Sequence, residues 1–113
     1  MKRVARDELR ALLDGGTATL VEALPAAAYG AEHLPGAVNV PGELTDDLAA
    51  RLAPELAGTV VVYCSEPACG RSKVAAAAFE RLGYTDVRIY PGGKADWAEA
   101  GLAFEESRAD AAA

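Results

Sequence analysis

Residues 59–82 read TVVVYCSEPACGRSKVAAAAFERL, and the fold turns on this stretch. Val60, Val61, Val62 and Tyr63 form an unbroken β-branched and aromatic run, the pattern of a strand covered on both faces. Cys64 ends that run. After a short loop holding Cys69, Ser72 stands where a helix N-cap is expected. Ala75, Ala78, Phe79 and Leu82 then follow at helical spacing, and Gly83 suits the helix end. The stretch therefore reads as strand, loop, helix.

That order has chemical consequences. A loop entering a helix carries backbone N–H groups with no helical partner. Converging on one spot, they bind an anion, helped by the helix dipole. A cysteine at the mouth of such a loop is expected to have its pKa lowered below the free value of roughly 8.5. Arg71 adds a fixed positive charge, and Lys73 stands close by. The plainer alternative makes Cys64 a buried strand-end thiol and Cys69 an incidental loop residue, since free cysteine is commonly buried.

The rest of the chain bounds the reading. Its 113 residues fit one domain, with a core over about 7–104 and a frayed tail over 105–113. No apolar run approaches the roughly 18 residues of a membrane span. The N-terminus, MKRVARDELRALL, lacks the uninterrupted apolar centre of a signal peptide, so a cytoplasmic location is expected. Two cysteines are too few for a disulfide scaffold and read as thiols. A net charge of −6 argues against nucleic acid as the main partner. With a pI near 4.7, an anion would need a local positive site such as the one around Arg71.

Working outward, residues 1–6 read as a loose start. Asp7 and Glu8 open a helix whose buried stripe is Leu9, Leu12 and Leu13, stopped by Gly15 and Gly16. Thr19 to Leu24 reads as a strand ended by Pro25, and an alanine-rich segment with Tyr29 follows. HLPGA contains a turn, and Val38 to Val40 is one small strand. Thr45 caps a helix with Leu48 and Leu52 on one face; Pro54 limits it, and Leu56 packs beyond. Tyr84 to Tyr90 is a further strand, and Lys94 to Ala100 a short helix with Trp97 turned inward. Alternating strands and helices give an α/β fold with a mainly parallel sheet, whose sites form beyond the carboxyl ends of strands.

Four stretches together resemble a single-domain member of the rhodanese family: TLVEALPAAAY, HLPGAVNVP, VVVYC with its loop and helix, and GYTDVRIYPGGKADWAEAGL. The resemblance implies a five-stranded, mainly parallel sheet flanked by helices. It also implies a sulfurtransferase. A thiolate would take the outer sulfur of a small anionic donor such as thiosulfate and pass it, as a cysteine persulfide, to a thiol or cyanide acceptor. The terminal sulfur needs inward N–H donors, which residues 65 to 70 would supply; Ser65, Glu66, Ala68, Gly70, Arg71 and Ser72 are the candidate binding residues.

Two departures from the family pattern stand out. With Ser72 as cap, the loop counted from Cys64 runs about two residues longer than the six common in active members. Six residues also separate Cys64 from Arg71, against five in the related phosphatases and arsenate reductases, so phosphatase chemistry is not supported. VEAL stands where many members show an aspartate and then an arginine, so any role of that arginine is absent.

Cys64 is the expected nucleophile, because it ends the strand as the family's catalytic cysteine does. Cys69, nearer the helix, is the alternative nucleophile or a resolving thiol that attacks a Cys64 persulfide. The second function class is a non-catalytic or redox-sensing module built on the same pair. Neither metal nor other cofactor is called for, since two thiols and one histidine make a poor zinc set. His33 reads as a turn residue hydrogen-bonded to backbone rather than a base, and Glu66 is awkward in an anion site.

Overall fold

The computed structural model describes residues 1–106. Its elements in chain order are β1 (Lys2–Arg3), α1 (Arg6–Gly15), β2 (Ala18–Glu22), α2 (Ala26–Ala31), β3 (Val38–Asn39), α3 (Asp46–Leu52), β4 (Thr59–Tyr63), α4 (Arg71–Arg81), β5 (Asp86–Ile89) and α5 (Gly93–Glu99). The strands form one sheet in the order β1-β5-β4-β2-β3, and every pair is parallel. β4 lies at the centre, with Val61 opposite Leu20 on one side and Arg88 on the other. Val60 to Tyr63 are all buried, as their unbroken apolar run requires.

Two cores flank the sheet. Val21, Val60, Val62, Ala76, Phe79 and Tyr84 pack on one face. Leu9, Leu20, Leu34, Val61, Tyr63, Tyr90 and Trp97 pack on the other. The helix stops follow from sequence. Gly16 takes a left-handed φ of 67° after α1, and the Thr45 hydroxyl accepts the Leu48 N–H at 3.2 Å to cap α3.

Several expectations are corrected. Residues 1–6 are not loose: β1 pairs with β5, the Val4 N–H donates to the Ile89 carbonyl, and the Val4 side chain is buried, because the β5 edge needs a partner. The last strand is shorter than Tyr84 to Tyr90, since the Tyr84 hydroxyl turns to the Ala49 and Ala53 carbonyls at the end of α3. Leu56 is 52% exposed and does not join the core; its carbonyl accepts the Thr85 N–H instead. Glu105 belongs to no frayed tail, because it exchanges two backbone hydrogen bonds with His33. The remainder of that expected tail, 107–113, lies outside the described residues.

Candidate active site

β4 delivers Cys64 to the carboxyl edge of the sheet, and α4 begins just beyond. The cap of α4 is Gly70, not Ser72. Counted to the residue before the cap, the loop is Cys64–Cys69, six residues, so the expected two-residue excess is absent. The reason lies in Ser72 itself. Its side chain is buried and faces the Cys64 sulfur at 3.4 Å instead of turning back to cap the helix.

Cys64 is 2% exposed, whereas Cys69 is half-buried, and both are free thiols. The Cys64 thiol also donates to the Cys69 carbonyl at 3.4 Å. Burial pushes the Cys64 thiol above its ordinary value, and the facing Cys69 thiol adds to this; the Ser72 hydroxyl and N–H oppose the rise without reversing it. Burial acts on Cys69 in the same sense. There it is outweighed by the Cys64 thiol, the N–H groups of Arg71 and Ser65, and the Ser65 hydroxyl, so the net shift is downward. The expected lowering therefore falls on Cys69, the residue beside the helix start, and not on Cys64.

The remaining loop residues divide. Glu66 is exposed, and its carboxylate folds back to accept the Ala68 N–H at 3.2 Å, while its carbonyl accepts the Cys69 N–H. Those two N–H groups are thus already engaged, and Glu66 satisfies the loop rather than facing its interior. Arg71 contributes its backbone N–H to Cys69, but its exposed guanidinium lines a neighbouring cleft with Gly70. His33 lies outside the loop. Its Nδ1 is 2.9 Å from the Tyr29 carbonyl and its ring stacks on Tyr29, the structural role expected of it.

Sequence reasoning missed what lies beneath the loop. Glu22 is fully buried at the end of β2, accepts the Tyr63 hydroxyl at 2.6 Å, and sits 3.0 Å from Lys94 Nζ. The lysine contact is an ion pair without hydrogen-bond alignment, for the Nζ is drawn to the Ala28 carbonyl at 3.1 Å. The Tyr63 hydroxyl in turn accepts the Leu34 N–H. α5 closes the far side, with the Lys94 N–H donating to the Cys64 carbonyl and the Ala95 N–H to the Ser65 carbonyl. Gly93, at φ 61°, makes this approach possible. The signal in sequence was a glutamate in an otherwise apolar strand and a lysine directly after Gly92-Gly93.

Comparison with known proteins bears on the fold and the family. The HTH-type transcriptional regulator Rv0324 of Mycobacterium tuberculosis is 35% identical over 106 residues, covering 91% of this chain and 44% of that protein. The chain thus spans less than half the length of that curated relative. The BH2092 protein of Bacillus halodurans has a TM-score of 0.84 at 28% identity, over 94% of this chain and 77% of its own. The human single-domain sulfurtransferase TSTD1 has a TM-score of 0.73 at 28% identity, over 88% and 96%. The family model for the rhodanese-like domain matches residues 5–100, spanning every element from α1 to α5 and the whole cysteine loop, and the chain belongs to that family.

Proposed function

We propose that this chain is a sulfurtransferase, moving a sulfane sulfur from a small anionic donor such as thiosulfate to a thiol or cyanide through a persulfide on Cys64. One observation carries the reading: two facing thiols in a six-residue loop at the helix start, one buried against Ser72 and the other favoured as thiolate. The step runs from the form in which Cys69 is ionised, the ionisation that the loop favours. As Cys64 attacks, its proton passes to Cys69, a new S–S bond forms to the donor's outer sulfur, and sulfite leaves with the bonding pair. Written out, Cys64–SH, Cys69–S⁻ and thiosulfate give Cys64–S–S⁻, Cys69–SH and sulfite. The Ser65 and Arg71 N–H groups that served the Cys69 thiolate are then free to hold the charge on the persulfide. An acceptor thiolate takes the outer sulfur, and the proton returns to Cys64.

The test is intact mass after thiosulfate. Wild type gains one sulfur atom, Cys69→Ser gains it more slowly for want of the proton acceptor, and Cys64→Ser gains none. A gain on Cys64→Ser assigns the nucleophile to Cys69 instead, and no gain on any form overturns the reading.

The regulator among the relatives, together with the thiol pair, favours one second reading: a module of a larger regulatory protein. There the two thiols form a reversible Cys64–Cys69 disulfide, two electrons and two protons passing to an external oxidant. Loss of two hydrogens under mild oxidant, without sulfur gain from thiosulfate, is the outcome that selects it.

A further inference from the structure

Arg71, Val74, Ala78 and Arg81 follow one another at helical spacing, so they share one stripe of α4. The stripe lies along a cleft of about 650 Å³, whose other wall is the segment over residues 41–44. Val40 and Leu44 join Val74 in the apolar part of the lining. Val74 is 70% exposed, so this surface is open to an occupant. The two arginines stand at the ends of the stripe, separated by about 15 Å along the helix axis. Both are exposed, and neither has a carboxylate partner among the described residues, in a chain whose net charge is −6. Glu43 is the single negative charge of the lining.

We propose that the cleft is a docking groove for an acidic segment of a partner protein, bound in extended form, with two carboxylates four residues apart and an apolar side chain midway. The spacing follows from strand geometry. Alternate side chains of an extended peptide share a face, so the first, third and fifth residues all turn toward α4. The first and fifth lie about 13 Å apart, which matches the two guanidiniums within the reach of an arginine side chain. The third settles over Val74. Glu43 repels any further acid placed between the two ends. A purely apolar partner would leave both guanidiniums unpaired. A helix, about 10 Å across, is too thick for a cleft of this volume. The groove needs no thiol in its occupant, so this docking is independent of how the two cysteines react.

The test is a titration of the reduced, nitrogen-15-labelled protein with capped seven-residue peptides, followed by amide NMR shifts. The peptide GEALAEG should shift the amides of α4 and of residues 41–44 and saturate. GQALAQG, without the carboxylates, should bind more weakly. So should GEAEAEG, although it carries more negative charge, because its central acid meets Val74 and Glu43. Arg81→Glu and Val74→Glu should each weaken binding of GEALAEG about fivefold or more, the effect of losing or opposing one exposed ion pair. Both positions are on the surface, so both variants keep the fold. GEALAKG, with one charge reversed, should restore binding to Arg81→Glu. Four results overturn the proposal: no shifts at millimolar GEALAEG, equal binding of GQALAQG, binding of GEAEAEG as tight as that of GEALAEG, or unchanged binding in both variants. The first leaves the cleft to another occupant, the second makes the occupant apolar, and the third reduces the effect to unspecific charge attraction.

Discussion

The two cysteines differ in the surroundings of their sulfur atoms more than in their distance from the helix. Cys64 is sealed by the strand behind it and Ser72 in front, so its ionised form is penalised by burial. Cys69 meets donors from both sides of the loop and is favoured as thiolate. The sign of the consequence is fixed: a thiol with a lowered pKa reacts at lower pH, because the thiolate is the nucleophile. Iodoacetamide should therefore label Cys69 first, with a pH midpoint below that of a free thiol, and Cys64 only at higher pH. Cys64→Ala should move the Cys69 midpoint upward, since it removes a donor. Peptide mapping of the labelled protein across pH checks both, and preferential labelling of Cys64 at low pH would refute this picture of the resting pair.

Among the elements, α5 has an unusual task for a helix of about two turns, since its first residues hold the loop of another element. Its start depends on Gly93. A Cβ there would overlap the Cys64 carbonyl oxygen, and the residue occupies a left-handed conformation as well. Gly93→Ala should destabilise the protein by about 2 kcal/mol or more, combining backbone strain with a clash against fixed main chain. It should also displace Cys64 and depress persulfide formation, and denaturant midpoints with intact mass after thiosulfate read the two effects. This dependence was only half legible in the sequence. Helical spacing of apolar residues located α1, α3 and α4, and short apolar runs located β2 and β4. Ser72 misled, since a serine before an apolar run has the form of a cap whether its hydroxyl turns to its own backbone or to a sulfur eight positions away. β1 consists of two exposed basic residues with no apolar signal, so it was not foreseen, whereas Val38 and Val40 marked the equally short β3.

Across the whole molecule, the sheet brings its carboxyl edge and the buried ion pair to the same place. Glu22 from β2, Tyr63 from β4 and Lys94 from α5 meet below the loop, and Lys94 also reaches the Ala28 carbonyl in α2. Four elements thus share one polar centre in the interior. Its pairing was invisible in sequence, where 71 residues separate the two charges. Lys94→Met should cost about 3–5 kcal/mol, because it strands the Glu22 carboxylate without solvent or counter-charge. Adding Glu22→Gln to Lys94→Met should recover much of that loss, and urea denaturation of the set provides the measurement. Equal destabilisation in the single and double variants would show that packing of the lysine stem, not the charge, is what matters.

β1 has a consequence of a different kind. Lys2 and Arg3 pair with Arg88 and Ile89, the far end of the chain order, although they are the first strand to be made. During synthesis the N-terminal segment has no partner until β5 has left the ribosome, and contacts of such separation close slowly. The edge of β5 should accordingly be the last seam of the sheet to seal, and the first to open to solvent exchange.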